Sequence, residues 1–187
     1  MALFAGISGF LYSVAFIVLQ SNLLSALFLL LGGLFSSAAL TGLYQRLRGT
    51  ESGFALLGLL LALSAALGSA IHGGYDLSNT LHPPAPINTD LPNPIDPRGL
   101  LTFGIAGLGL FLLSWLMTQE RNFPRGLAYL GTLSAILMIV LYLGRLIVLQ
   151  ATSLVIVIPA LLEGFLVNPI WYIGLGLNFL RNQPPSK

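Results

Sequence analysis

A cluster of polar residues lies in the segment from His72 to Asn79, between long apolar stretches. His72, Tyr75, Asp76 and Asn79 carry side chains that form hydrogen bonds. His72 and Asp76 are four residues apart, so they are neighbours on one face of a helix. Such a pair can act as a general acid or base with its orienting partner, or it can hold the polar end of a ligand.

The last third of the chain holds further candidates in apolar surroundings. Tyr142 and Arg145 end a helically spaced line that begins at Gly131. The following segment carries four more polar or aromatic side chains, which are Glu163, Asn168, Trp171 and Tyr172. We predict that all of these residues, together with the cluster at 72–79, form a ligand-binding site.

The composition indicates which elements must position these side chains. Hydrophobic residues make up 56% of the chain and charged residues only 7%, whereas a soluble domain has about 25% charged residues. A transmembrane helix needs about 20 mainly apolar residues, so a chain of 187 residues has room for about six. The sequence therefore predicts an all-α fold, a single integral membrane bundle of six transmembrane helices over 1–187.

The predicted helices cover residues 3–19, 23–46, 53–79, 96–119, 125–149 and 153–181. Asp96 is expected to cap the fourth helix, because a proline follows it at the first helical position. Pro159 and Pro169 predict a kink or a break in the last helix. In the alternative, which has five transmembrane helices, the first apolar stretch does not cross the membrane twice.

A proline-rich loop at 80–97 separates the third and fourth helices, and its six prolines exclude a helical span. Short translocated loops are poor in basic residues. The six-helix arrangement puts most basic residues on one side, namely Arg46, Arg48, Arg121, Arg125, Arg181 and Lys187, and leaves Arg98 and Arg145 for the other. We therefore expect both termini in the cytoplasm, the loop outside it, and a prokaryotic inner membrane as the location.

A line of small and polar residues follows one face of the third helix at alternating spacings of four and three. Its members are Gly58, Ala62, Ala65, Ser69, His72, Asp76 and Asn79. Small residues at such spacing let a neighbouring helix approach closely in a membrane. Intramembrane charges usually face the interior and pair with one another, so we predict an ion pair of Arg145 with Glu163 or Asp76.

Each candidate also has a purely structural interpretation. The ion pair of Arg145 could only tie helices together, and His72 could donate to a backbone carbonyl. Asp76 and Asn79 could reach towards water at the end of their helix. Trp171 and Tyr172 could be anchors at the membrane interface.

Several classes of partner are not expected. The eight basic residues are spread along the chain and form no patch for nucleic acid. The chain has no cysteine and only two histidines, His72 and His82, so no metal site is expected, and the sequence identifies no cofactor. The expected partners are membrane lipids, a small amphiphilic ligand, and other membrane subunits or further copies of the chain.

Two motifs carry a family resemblance over the last third of the chain. The segments Pro124-Arg125-Gly126-Leu127-Ala128-Tyr129-Leu130-Gly131 and Ile158-Pro159-Ala160-Leu161-Leu162-Glu163-Gly164 stand on either side of a charge-poor helix. They resemble the closing two helices of a group of bacterial six-helix membrane proteins that is catalogued as a domain of unknown function. The resemblance implies a six-helix fold and no particular activity.

Three classes of function remain. The first is a membrane protein whose outward-opening polar pocket binds a small amphiphile of the lipid, quinone or isoprenoid type. The second is an intramembrane enzyme that uses His72 and Asp76, with Arg145 stabilising developing negative charge. The third is a structural or assembly subunit of a larger membrane complex.

Overall fold

The computed structural model of the protein describes residues 1–83, 101–148, 150 and 152–182. Within these residues every regular element is helical, so the all-α prediction is confirmed. Most of the proline-rich loop lies outside the described residues, including the predicted cap at Asp96-Pro97-Arg98. Lys187 also lies outside them.

The described chain forms six helical rods. Its seven α-helices are α1 (Ala2–Ser13), α2 (Asn22–Leu47), α3 (Ser52–Leu81), α4 (Leu101–Gln119), α5 (Arg125–Val148), α6 (Leu154–Leu162) and α7 (Asn168–Arg181). A π-helical turn, Val14–Val18, extends α1, and another, Glu163–Val167, joins α6 to α7. Five rods are long and apolar enough to span a membrane, and the rod Ala2–Val18 is apolar but shorter. These lengths and compositions indicate an integral membrane protein.

The first break between rods lies between the predicted helices 3–19 and 23–46, as expected. Gln20 has a positive φ of 49°, a conformation that bulky residues rarely adopt inside a helix. Ser21 then caps α2, and its side chain accepts a hydrogen bond of 3.4 Å from the backbone N–H of Leu24. The chain therefore reverses direction within three residues.

The prolines of the last rod distort it without ending it. Pro159 lies inside α6 and Pro169 in the first turn of α7, with the π-helical turn between them. In that turn the N–H of Asn168 donates to the carbonyl of Glu163. A proline removes a backbone donor and clashes with the preceding turn, and the wider turn keeps the rod continuous.

The six rods pack in a closed ring that follows chain order. Each rod contacts the next, and α7 returns to contact α1. A continuous apolar core fills one half of this ring and includes Leu43, Leu47, Leu113, Leu116 and Trp171. The interior of the other half is lined by different residues and is described below.

Backbone groups of α2 and α3 approach closely through glycines. A Cβ atom at Gly73 would collide with the backbone of Ala26 and Leu30, and one at Gly33 with the backbone of Ala66 and Ala70. Only glycine permits such an approach, which is a common way of packing helices in membranes.

This contact surface differs from the predicted small-residue line on α3. Only the inner part of that line, Gly58 and Ala62, packs closely on a neighbouring helix, at Gly109 of α4. The outer part faces the interior of the ring. Close packing along this line is therefore confined to Gly58 and Ala62, while His72, Asp76 and Asn79 face the interior of the ring.

Hydrogen bonds hold three chain segments together at the end of the ring that carries Arg46, Arg121 and Arg181. Nη2 of Arg46 donates to the carbonyl of Phe179 (3.3 Å), and Oγ1 of Thr50 donates to Oε2 of Glu120 (3.1 Å). In addition, Asn178 and Asn182 both donate to the carbonyl of Asn122 (3.1 and 3.2 Å). We call this the basic end of the bundle.

Candidate functional site

A cavity of about 1040 Å³ lies inside the ring, in the half opposite the basic end. Every rod contributes to its wall, and on α3 the lining runs from Ala62 to Thr80. At about 1.5 Å per residue this is about 27 Å along the helix. The cavity is therefore long as well as large, and its volume lies at the upper limit of the about 300–1,000 Å³ typical of small-molecule sites.

The wall is mainly apolar and is built largely from small side chains. Gly9, Gly32, Ala65 and Ala106 line it from four different helices. Small residues leave space at the centre because their side chains do not reach across the ring. Most of the polar groups that line the cavity belong to the residues described below.

The mouth of the cavity is marked by the C-terminal end of α3. Nε2 of His72 lies 3.2 Å from Oδ2 of Asp76, and the two side chains are 49% and 45% exposed. Asn79 lines the cavity one turn further out. At the end of the first rod, Phe16 and Ile17 also line the cavity and are exposed. The mouth is thus polar on α3 and apolar at the end of the first rod.

Glu163 lies deeper in the cavity and is only 4% exposed. Its Oε1 accepts hydrogen bonds from Oγ of Ser134 (2.6 Å) and Nδ2 of Asn168 (3.1 Å). Its Oε2 is buried and has no hydrogen-bond partner in the described part of the chain. A buried carboxyl oxygen without a partner is costly, so this atom has an unfilled capacity for a polar contact in the cavity.

Arg145 lines the same cavity near its mouth and is half-buried. Its Nε is buried without a hydrogen-bond partner, and among the described residues the guanidinium forms no ion pair. The predicted pairing with Glu163 or Asp76 was therefore wrong. Ser134 marks the level of Glu163 on α5, and Arg145 lies eleven residues further along the same helix, about 16 Å at 1.5 Å per residue. Asp76 is on α3, from which α4 separates α5 around the ring.

Ser134 is a hydrogen-bond partner of Glu163 that the sequence interpretation missed. The cavity-lining residues of α5 are Met138, Leu141 and Arg145, and Ser134 continues this line at a spacing of four. The predicted line shares Met138 and Arg145 with it, whereas its other members, Gly131, Ala135 and Tyr142, do not line the cavity. The sequence spacing could have indicated Ser134, because it lies eleven residues before Arg145. Eleven residues are about three full helical turns, so the two side chains lie on the same face of α5.

Three predicted site residues lie outside the cavity. Tyr75 is 65% exposed, because it is displaced by about 100° around the helix from Asp76. Tyr142 packs against Gly104 of α4. Trp171 is fully buried beside Gly131 and Ser114, with its ring 4.8 Å from that of Tyr172.

The other seven predicted site residues are brought together around one cavity: His72, Asp76, Asn79, Arg145, Glu163, Asn168 and Tyr172. They come from three of the six rods. No three His, Asp or Glu side chains of the described residues are close enough to hold a metal ion. The geometry can instead hold an elongated apolar molecule that has polar contacts at the mouth and at the depth of Glu163.

The two π-helical turns lie near each other at the wall of the cavity. Oγ of Ser13, the residue before the first turn, donates to the carbonyl of Gly164 in the second (2.9 Å). Both residues line the cavity. Irregular turns of this kind are frequent at functional sites, and here the hydrogen bond ties the first rod to the segment that carries Glu163.

The chain matches no family model, and the comparisons with curated proteins and with solved structures give no match either. The resemblance of the last third to a bacterial six-helix family stays a prediction.

Proposed function

We propose that the protein is a six-helix membrane protein that binds a small amphiphile, of the lipid, quinone or isoprenoid type, in the cavity between its helices. The polar end of the ligand lies near the mouth, among His72, Asp76, Asn79 and Arg145. Its apolar part lies along the inner wall. The ligand enters at the mouth, from the membrane or from the water next to it.

The size and lining of the cavity carry this proposal. An empty void costs about 24 cal/mol per Å³, so a void of about 1040 Å³ would cost more than the whole stability of a typical domain, about 5–15 kcal/mol. The space must therefore be filled. Water fills a cavity where polar groups hold it, whereas most of this wall is apolar. An amphiphile satisfies both the apolar part of the wall and its polar groups.

The proposed topology has both termini in the cytoplasm and the 80–97 loop outside it. It is supported by the hydrogen bonds that gather the α2–α3 turn, the α4–α5 turn and the end of α7 at the basic end. These segments carry most of the arginines, and basic residues are retained on the cytoplasmic side. The mouth, at the opposite end, then faces outward.

Mass spectrometry of the purified protein tests the proposal. The wild type, extracted in mild detergent, should retain a lipid-like molecule. His72→Ala and Asp76→Asn should lose most of it while their folded fractions stay near that of the wild type. Tyr75→Phe is the matched control, because Tyr75 is on the same helix but outside the cavity, and it should retain the ligand. Unchanged retention in both mouth variants would exclude this site.

A second candidate function is an intramembrane enzyme, favoured by the 3.2 Å contact between His72 and Asp76 at the mouth. A carboxylate beside a histidine orients the ring, as general acid or base chemistry requires. An enzyme would convert the molecule that it binds. The wild type and His72→Ala would then carry ligands of different mass, whereas in a binding protein the small amount that remains on His72→Ala would have the same mass as the wild-type ligand.

A further inference from the structure

We infer that the ligand is an anionic amphiphile, with a phosphate or carboxylate head held by Arg145 and an apolar chain that extends along α5 towards Met138. This inference rests on the proposed function and specifies the chemistry of the same site. It follows from the distribution of charge around the cavity and from the apolar wall below Arg145.

Arg145 is the uncompensated cation of the described cavity wall. The other ionisable groups there are His72, Asp76, Glu163 and two tyrosines, Tyr12 and Tyr172. Asp76 lies 3.2 Å from Nε2 of His72, and among the described residues it forms no ion pair with Arg145. Glu163 is about 16 Å further along the bundle, where it accepts hydrogen bonds from Ser134 and Asn168. Neither carboxylate neutralises the guanidinium.

The surroundings of Arg145 favour an anion over water as its partner. Its Nε is buried and lacks a hydrogen-bond partner, so this part of the group has lost its hydration without gaining a replacement. A buried donor without a partner is costly. The planar guanidinium presents several donors that match the oxygens of a carboxylate or a phosphate.

The wall below Arg145 fits an apolar chain. Leu141 and Met138 line the cavity at successive turns of α5 towards its interior, and Ala106 and Leu110 line it from α4. A head at Arg145 would leave its chain in contact with these side chains over about 10 Å. An inorganic anion would leave the same wall unfilled, so the head and the chain should both be needed for tight binding.

Equilibrium binding in one detergent tests the inference with four probes: hexadecyl phosphate, palmitate, hexadecanol and inorganic phosphate. We expect the two anionic amphiphiles to bind the wild type about 10-fold to 100-fold more tightly than hexadecanol, as a charge-assisted hydrogen bond would give. Inorganic phosphate should bind far more weakly. Arg145→Gln should abolish the preference for the anionic head, and Arg145→Lys should keep part of it. Arg125→Gln, which removes an exposed arginine at the other end of the same helix, should leave the preference unchanged.

The binding results distinguish failure of the inference from failure of the proposed function. Equal affinity of the wild type for hexadecanol and the two anions would overturn the anionic head and leave amphiphile binding standing, and this comparison does not depend on any variant folding. Inorganic phosphate that binds as tightly as hexadecyl phosphate would overturn the need for a chain. If none of the probes binds the wild type, the proposed function fails together with the inference.

Discussion

Ser134 and Glu163 meet in the interior of the bundle, where Oγ of the serine donates a 2.6 Å hydrogen bond to Oε1 of the carboxyl group. The bond joins α5 to the π-helical turn of the last rod. Together with the bond from Asn168, it fixes the carboxyl group so that one oxygen is satisfied. The other, Oε2, lacks a partner within the described structure. The carboxyl group of Glu163 is thus held in place by its neighbours, and its Oε2 atom can still make a polar contact with a ligand.

A double-mutant cycle on this pair should show coupling. We expect Ser134→Ala and Glu163→Gln each to lower the free energy of unfolding in detergent, and the double variant to lose less than the sum. The coupling should be about 0.6–1.7 kcal/mol, the range for hydrogen bonds between membrane helices. Thermal or denaturant unfolding measures it. Strictly additive losses would show that the two side chains do not interact in solution.

Replacement by alanine should change the stability of the protein differently at two adjacent glycines of α3, Gly73 and Gly74. A Cβ at Gly73 would collide with the backbone of Ala26 and Leu30, whereas at Gly74 it would meet only a terminal methyl group of Leu30. Gly73→Ala should therefore destabilise the protein by about 1–3 kcal/mol, as overpacking does. Gly74→Ala should be neutral or stabilising by up to about 1 kcal/mol, because alanine is the better helix former. The melting temperatures of the two variants, compared with that of the wild type, measure this difference. Equal shifts would contradict the close approach of α2 and α3.

Much of the helical architecture was predictable from the sequence, because apolar length and polar breaks determine where membrane helices begin and end. The second helix was predicted at 23–46 and spans Asn22–Leu47, and the break at Gln20 lies where it was expected. The grouping of seven polar residues around one space was also predictable, since charged side chains in apolar helices must face the interior.

The partner of Arg145 and the exact face of α5 that lines the cavity were less predictable from the sequence. Helical spacing defines a face only to within one residue, and a shift from Ala135 to Ser134 moves a side chain by about 100°. The supposed partner of Arg145 lies at a different depth, and depth depends on how the helices are staggered. The cavity itself arises from a ring of six rods, and spacing within a single helix carries no information about ring closure.

Labelling of single cysteines on intact cells tests the proposed topology. The chain has no cysteine of its own, so each variant carries one reactive site. Thr89→Cys, in the proline-rich loop, should react with a membrane-impermeant thiol reagent. Glu51→Cys, between α2 and α3, should react only after the cells are permeabilised. The reverse pattern would mean that the bundle is inserted with the opposite orientation.

A filled cavity between the helices is the central claim, and retention of the copurified amphiphile by a cavity-filling variant tests it most directly. Ala106 lines the cavity on α4, while Leu108 of the same helix is exposed on the outer surface. Ala106→Phe would place a ring inside the cavity, and Leu108→Phe would place one outside it. The account predicts that, at matched folded fractions, Ala106→Phe loses most of the bound molecule and Leu108→Phe retains it at the wild-type level. Equal retention by both variants would contradict the account.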